Sequence, residues 1–402
     1  MKYVLYGRVI DSVKDEAVEN GMVIVDGERI LYAGERNDEM VTDDMQVRDA
    51  GNGTIMPGFI DAHAHLTGEE SRNSSGTSAF DALLTVVKDL GELVDAGVTG
   101  VRDMSLFGKP LKNAVEKGNI LGPRITPGGR VLSVSAGHCD FDTDLSVKEA
   151  NEKSLTGYLM DGPEDCLRGV RQQFRDGAEF IKICATGGVS SAVDNINDVQ
   201  FSDEELRVIV GEAARHGTYV TAHCTGTAGT LQALKCGVTC IEHGVMLDEE
   251  CIAIMKEKDI PLVTTLSVAL GLADMKNLPD FMMKKAVSVK ESAMNSFRMA
   301  HEAGIRVALG TDYSNTGNTP FKHIGKEFYS LTRCGYTPME AIKAGTVNGA
   351  YLMRKDQEIG TLEAGKLADL VIVNGNPLED ILVLADADNI STVMIGGKIV
   401  KG

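Results

Sequence analysis

The spacing of apolar residues divides the chain into a central part that alternates strands with helices and two ends that carry strands only. In the centre, apolar or β-branched runs such as 98–102, 124–132 and 219–223 predict buried strands. Longer stretches with a helical period, such as 203–215 and 284–303, lie between the strands and predict amphipathic helices. The pattern as a whole predicts eight strands with intervening helices in about 300 residues.

This alternation predicts the α/β class and, within it, a (β/α)8 TIM barrel over residues 55–357. A doubly wound open sheet is the alternative, but no GxGxxG motif follows an early strand. The two ends, 1–54 and 358–402, read as short strands punctuated by glycines. We expect these ends to pair as a small β-sandwich domain, with the barrel inserted between them.

Composition and charge narrow the class of protein further. The chain is 43% hydrophobic and 24% charged, which is ordinary for a globular protein. Its formal net charge of −18 argues against nucleic acid or an anionic membrane as the main partner, because both attract basic surfaces. No apolar run reaches the length of a membrane span, and Gly7 and Arg8 interrupt the N-terminus before a signal-peptide core. Eight cysteines without a CxxC pair predict reduced, mostly buried thiols in a cytoplasmic protein.

Metal-binding side chains lie where several predicted strands end. His63 and His65 are two residues apart on one strand, so both side chains project to the same face. Four other strands also end in a possible metal ligand: Lys182, His223, His243 and Asp312. Two histidines alone could be solvated loop residues. The chemistry of a barrel sits at the C-terminal ends of its strands, so agreement over five strands predicts a metal site.

The simplest interpretation of a charged residue inside a barrel is a structural ion pair. We expect such a pair between Arg102 and Asp103, at the end of the second strand.

For Lys182, a metal-binding interpretation competes with a structural ion pair. A low dielectric disfavours the charge of a buried lysine, and a neutral amine can react with carbon dioxide to give a carbamate. That group is an oxygen ligand able to bridge two metal ions. The position of Lys182 beside strand-end histidines favours the carbamate.

These motifs resemble the amidohydrolase superfamily. The resemblance rests on residues 58–65 (GFIDAHAH), the strand lysine, the single strand-end histidines, 310–312 (GTD) and the C-terminal run 360–371, and therefore covers nearly the whole chain. Within the superfamily, 180–188 and 241–244 resemble the prolidase-like, imidazolonepropionase-related metal-dependent hydrolases, with their Xaa-Pro or Xaa-Arg dipeptidase-like branch.

The resemblance implies two Zn²⁺ ions per chain, bridged by carboxylated Lys182. The first ion would take His63, His65, Lys182 and Asp312, and the second Lys182, His223 and His243. A hydroxide shared by the two ions would attack an amide carbonyl. Asp312 would accept the proton of this hydroxide and pass it to the leaving amine. His138 would contact the carbonyl or carboxylate of the substrate.

The implied function is hydrolysis of an amide C–N bond in a small molecule, a dipeptide or an N-acyl amino acid, by a homo-oligomer. Hydrolysis of a cyclic amide or imidazolone ring stays open, because the same metals could attack either. A mononuclear deaminase would lack the bridging lysine, and a scaffold protein would lack ligands. Thr225 stands where dipeptide-cleaving relatives often carry a tyrosine, which weakens the inference of dipeptide specificity. Loops 67–78 and 313–322 are expected to shape the pocket.

Overall fold

The computed structural model describes residues 1–67, 78–271 and 278–402. The strands are β1 (Lys2–Val9), β2 (Val18–Asp26), β3 (Arg29–Glu35), β4 (Met45–Pro57), β5 (Phe59–Ala64), β6 (Val98–Asp103), β7 (Arg124–Pro127), β8 (Val131–Ser133), β9 (Gly157–Leu159), β10 (Ile181–Cys184), β11 (Val220–Cys224), β12 (Cys240–His243), β13 (Leu262–Val263), β14 (Val307–Ala308), β15 (Leu370–Val373), β16 (Ile390–Ile395) and β17 (Lys398–Lys401). The α-helices are α1 (Ala79–Asp95), α2 (Gly108–Glu116), α3 (Val147–Lys153), α4 (Pro163–Asp176), α5 (Asp203–Arg215), α6 (Thr227–Lys235), α7 (Glu249–Glu257), α8 (Leu266–Gly271), α9 (Asp280–Ala303), α10 (Lys326–Thr332), α11 (Pro338–Ala344) and α12 (Val347–Leu352). Of the two loops expected to shape the pocket, 313–322 is described, whereas 68–77 lie outside the described residues.

The strands of the central part form two parallel sheets. One has the order β5-β6-β7 and the other β14-β13-β12-β11-β10-β8-β9. All pairings between neighbouring strands in these sheets are parallel. The run 124–132, predicted as one strand, is divided into β7 and β8, and each half belongs to a different sheet. The mixed α/β class predicted from the sequence is therefore confirmed.

Backbone hydrogen bonds also connect the two sheets beside β5. The Ala62 amide donates to the Leu309 carbonyl oxygen at 2.8 Å, and the Asp312 amide donates to the His63 carbonyl oxygen at 2.7 Å. The segment that follows β14 therefore lies directly against β5. This connection brings Asp312 next to the two histidines of β5.

The helices begin and end at residues that satisfy free backbone groups. The Ser202 hydroxyl accepts from the Glu205 amide while the Glu205 carboxylate accepts from the Ser202 amide, and this capping box begins α5. At the end of α4, Gly177 has a φ of +97°, a left-handed conformation that glycine adopts at little cost. The predicted helix 203–215 is confirmed with the same bounds, and α9 begins four residues before the predicted 284–303, at Asp280.

Strands from the two chain ends form one seven-stranded sheet, with the order β17-β16-β15-β4-β1-β2-β3. Within it, β4 runs parallel to β1 and antiparallel to β15, so it joins the N-terminal strands to the C-terminal ones. Leu5, Ile55 and Leu370, from these three strands, pack in one buried apolar cluster. Since β4 leads directly into β5, this sheet also anchors the strand that carries His63.

Two further expectations concern the thiols and the membrane. All eight cysteines are free thiols, and seven of them are buried; Cys139 is half-buried. Over the described ranges, none of the helices combines the length and the apolarity that a membrane-crossing segment needs.

Candidate metal centre

β5 ends in two histidines, and the loop after β14 places a carboxylate against them. The Nε2 atoms of His65 and His63 lie 3.0 and 3.5 Å from Asp312 Oδ1. His65 Nδ1 is 3.0 Å from the Met104 carbonyl oxygen, so a neutral His65 ring carries its proton on Nδ1 and presents a lone pair at Nε2. His63, His243 and Asp312 each offer a ligand atom within 4.8 Å of the other two. These candidate ligands converge as side chains do around a shared cation.

β11 and β12 each contribute one more histidine from their C-terminal ends. The rings of His223 and His243 have centroids 4.5 Å apart, and the His243 ring is 4.8 Å from the His63 ring. Hydroxyls orient both rings: His243 Nδ1 is 2.8 Å from Thr265 Oγ1, and His223 Nε2 is 3.1 Å from Thr225 Oγ1. The structure therefore brings together all four histidines that the sequence assigned to metal binding.

Lys182 extends from β10 into the same space. It is 2% exposed, and its Nζ has no hydrogen-bond partner in the part of the chain that the structure describes. Its charge nevertheless acts on the neighbouring His63 and His243 rings. A buried ammonium without a partner is costly, by several kcal/mol, so a free lysine is a poor fit here. Together with the neighbouring imidazoles and the Asp312 carboxylate, Lys182 belongs to a donor set that fits a metal centre.

Burial and neighbouring charges set the protonation states of these ligands. Burial, followed by a nearby ammonium, lowers the pKa of His63 to about 4. Burial also holds the pKa values of His223 and His243 well below the ordinary imidazole value. Burial opposes ionisation of Asp312, but the contacts with His65 and the surrounding imidazoles hold its pKa well below the usual range. Neutral imidazoles and an ionised carboxylate are the forms that bind metal ions.

Two of the candidate ligands occupy an unusual backbone conformation. His243 has a φ of +67° and Asp312 a φ of +60°, both in the left-handed region that non-glycine residues rarely adopt. Such conformations cost about 1–3 kcal/mol each and persist where the surrounding structure enforces them, often at functional sites. Here each of them lies at or just beyond the C-terminal end of a parallel strand.

Comparison with known proteins agrees with this geometry. Residues 54–400 match the model of the amidohydrolase family. The chain belongs to the amidohydrolase family. The ochratoxinase of Aspergillus niger is 35% identical to this amidohydrolase over 367 residues, which cover 87% of this chain and 76% of the relative. An imidazolonepropionase of Geobacillus sp. is 23% identical over 415 residues, covering 95% and 90%.

Solved structures that superpose on this chain include a prolidase. A prolidase in complex with N-methylphosphonate-L-proline superposes with a TM-score of 0.91 and 32% identity, covering 100% of both chains. The resemblance stated from the sequence is thereby confirmed. This amidohydrolase is an enzyme that acts on carbon–nitrogen bonds.

A buried carboxylate that the sequence motifs do not mark, Glu242, is in contact with the histidines. Glu242 Oε2 lies 2.7 Å from His63 Nδ1, and Glu242 Oε1 accepts a hydrogen bond from Arg102. The carboxylate accepts a hydrogen bond from the Nδ1–H group of a neutral His63 ring. The Nε2 lone pair of that ring then faces Asp312. A charged residue within the apolar run that precedes His243 was the signal that could have identified Glu242.

The expected pairing of Arg102 with Asp103 is wrong. Arg102 is fully buried and donates to Glu242 and, at 2.6 Å, to the Ala62 carbonyl oxygen. Asp103 instead accepts from the Leu66 amide at 2.8 Å. Consecutive residues on a strand face opposite sides, so neighbours in sequence on β6 meet different partners.

Replacing Glu242 with glutamine should destabilise the protein by about 3–5 kcal/mol, because a buried Arg102 charge is left without its anion. Urea unfolding of the metal-free protein measures this difference. The matched control is Glu250→Gln, since Glu250 is exposed and pairs with exposed Lys235. The control substitution should lower the free energy of unfolding by less than about 1 kcal/mol. Equal losses for the two variants would show that the buried pair has no special role.

His138, expected from the sequence to contact substrate, lies at the edge of the cluster. Its ring stacks on the His223 ring with centroids 4.4 Å apart. His138 Nδ1 lies 3.0 Å from Asp194 Oδ2. No local pattern marks Asp194, because it belongs to an irregular loop after β10.

Proposed function

We propose that this amidohydrolase is a binuclear zinc enzyme that hydrolyses the amide bond of a dipeptide or N-acyl amino acid. The observation that carries the proposal is Lys182, whose Nζ is buried beside the histidines without a hydrogen-bond partner among the described residues. Reaction of the deprotonated amine with carbon dioxide, with release of a proton from the nitrogen, would replace this costly ammonium by a carbamate, an anionic oxygen ligand that could serve both ions. That is the arrangement a two-metal hydrolase needs.

The ligands divide into two sets that share the lysine. One ion would be held by His63, His65, carboxylated Lys182 and Asp312, and the other by Lys182, His223 and His243. Imidazole and carboxylate-type ligands suit zinc. When bound, the ions would supply a nucleophilic hydroxide at neutral pH and polarise the scissile carbonyl.

The protein's own groups would orient the substrate and move the proton. Asp312, ionised in the folded protein, would accept the proton of the nucleophile and deliver it to the leaving amine. His138, beside His223, would contact the carbonyl or carboxylate of the substrate. Metal ligand and proton shuttle are compatible roles for one carboxylate.

The relatives support a linear amide over a ring. The prolidase and the ochratoxinase are 32% and 35% identical to this chain, against 23% for the imidazolonepropionase. A cyclic amide remains the second candidate because that relative aligns over 95% of the chain. Thr225, in place of a tyrosine, leaves the side-chain preference of the substrate open.

The architecture also supports the proposal. We count β7 and β8 as two halves of one barrel strand, which with β5, β6 and β10 to β14 gives eight strands of a (β/α)8 barrel. Residues 1–54 and 358–402 would form the β-sandwich domain, and 55–357 the barrel. We place the enzyme, as a homo-oligomer, in the cytoplasm.

Metal content and a substrate library test the function together. We expect two zinc ions per chain by elemental analysis, and hydrolysis within a library of dipeptides and N-acyl amino acids. Chelation should remove this activity and added zinc should restore it. One ion per chain would favour a deaminase, and none a scaffold. If the protein binds two ions but hydrolyses no member of the library, cyclic amides become the proposed substrates.

A further inference from the structure

A lysine from a distant helix is bonded to the loop that follows β10. Lys285, on α9, places its Nζ 2.8 Å from the carbonyl oxygens of Gly188 and Ser191. The same Nζ lies 2.7 Å from the Asp194 carbonyl oxygen and 2.8 Å from Asp194 Oδ1. An ammonium has three N–H donors, so this one is fully used. The loop is thus folded around a single cation.

Asp194 links Lys285 to His138, because its carboxylate contacts both side chains. Its other oxygen, Oδ2, accepts from the Gly188 amide at 2.9 Å and lies 3.0 Å from His138 Nδ1. The Asp194 side chain is 1% exposed. Burial opposes ionisation, but the bonds to His138 and Lys285 lower the pKa of Asp194 below its usual value. A carboxylate only accepts hydrogen bonds, so the proton of a neutral His138 ring resides on Nδ1.

The His138 ring is also confined by its neighbours. It stacks on the His223 ring. It also packs on Gly188, where an added Cβ would lie 2.4 Å from His138 Cε1. The position therefore requires glycine, and the ring has little room to rotate. With Nδ1 occupied by Asp194, the remaining polar atom of the ring is Nε2, whose one hydrogen-bond contact among the described residues is a long one of 3.4 Å to the Ser190 hydroxyl.

We propose that Lys285 is a positioning residue that, through Asp194, holds His138 as the Nδ1-protonated ring with Nε2 available to the substrate. The effect on turnover rests on the proposed function, whereas the effect on the ring and the loop does not. Nothing in the sequence pattern connects Lys285 with His138. The connection exists because α9 packs against the loop 187–194.

The test compares Lys285→Met with Lys284→Met, which removes an exposed ammonium from the same helix. We expect Lys285→Met to lower kcat about 10–100-fold, as losses of groups that orient a site residue do. Metal content and the visible spectrum of the cobalt-substituted protein should stay unchanged. Lys285→Arg should recover most of kcat, and Lys284→Met should stay within about twofold of the unmodified enzyme.

Two readouts are independent of activity. Nitrogen-15 shifts of His138 should report the Nδ1-protonated ring in the unmodified protein and a mixture of tautomers in Lys285→Met. Amide hydrogen exchange over 187–194 should accelerate in that variant and not in Lys284→Met. Unchanged shifts and exchange would overturn the proposal, as would a changed cobalt spectrum, which would place the effect at the metals. If the enzyme hydrolyses none of the tested amides, these two readouts still decide the role of Lys285.

Discussion

Replacing Lys182 with alanine is expected to abolish hydrolysis and to reduce the metal content to one ion per chain or less. If Lys182 is the proposed bridging ligand, its removal would leave the second ion with only His223 and His243. Catalytic zinc sites ordinarily have three protein ligands, so two imidazoles should not retain the ion. Loss of one ion removes part of the charge that stabilises the transition state. We expect kcat/KM to fall at least about 10³-fold, equivalent to about 4 kcal/mol.

A small carboxylate offers a sharp control for this variant. Alanine leaves a space in which acetate could supply the missing oxygen ligands, so acetate and zinc together should partly restore the activity of Lys182→Ala. Lys182→Met fills the same space and should not respond. Lys235→Ala, at an exposed position of α6, controls for loss of a positive charge and should behave as the unmodified enzyme.

Carbon-13 labelling separates a carbamate from an ordinary lysine. In ¹³C-labelled bicarbonate, the unmodified enzyme should show a carbamate resonance that Lys182→Ala lacks. If Lys182→Ala retains two ions and near-normal turnover, Lys182 is not a metal ligand. A carbamate signal that persists in the variant would assign the modification to another amine.

The position of the site was predictable because it depends on periodicity and topology. Side chains two apart on a strand share a face, and parallel strands place their C-terminal ends together. These two rules suffice to bring His63, His65, His223 and His243 into one cluster from three short motifs. Capping followed equally local rules, as Ser202 at the start of α5 shows.

The groups that orient the ligands were not predictable in the same way. The strand pattern predicts a pair between Arg102 and its neighbour in sequence, whereas its partner Glu242 lies 140 residues away. Lys285 and the Gly188 carbonyl oxygen are 97 residues apart and meet only because of helix packing. Such contacts depend on the three-dimensional arrangement of whole elements, and no local pattern encodes them. Periodicity therefore located the clustered side chains but not the groups that orient them.

Replacing Asp312 with asparagine should leave both ions bound while removing most of the turnover. The amide keeps an oxygen that can bind metal, but it cannot accept a proton as the carboxylate does. General acid–base groups typically contribute about 10²–10⁴-fold, so we expect kcat to fall by that factor. KM should change little, because substrate binding does not need the shuttle.

Metal analysis together with kcat and KM distinguishes the two roles of Asp312. Asp312→Glu provides the matched comparison, because it retains a carboxylate on a longer side chain. It should lose less turnover than Asp312→Asn if proton transfer is what matters. Near-normal kcat in Asp312→Asn would exclude the shuttle. If instead one ion leaves together with the activity, Asp312 acts as a ligand, and another group must carry the proton to the amine.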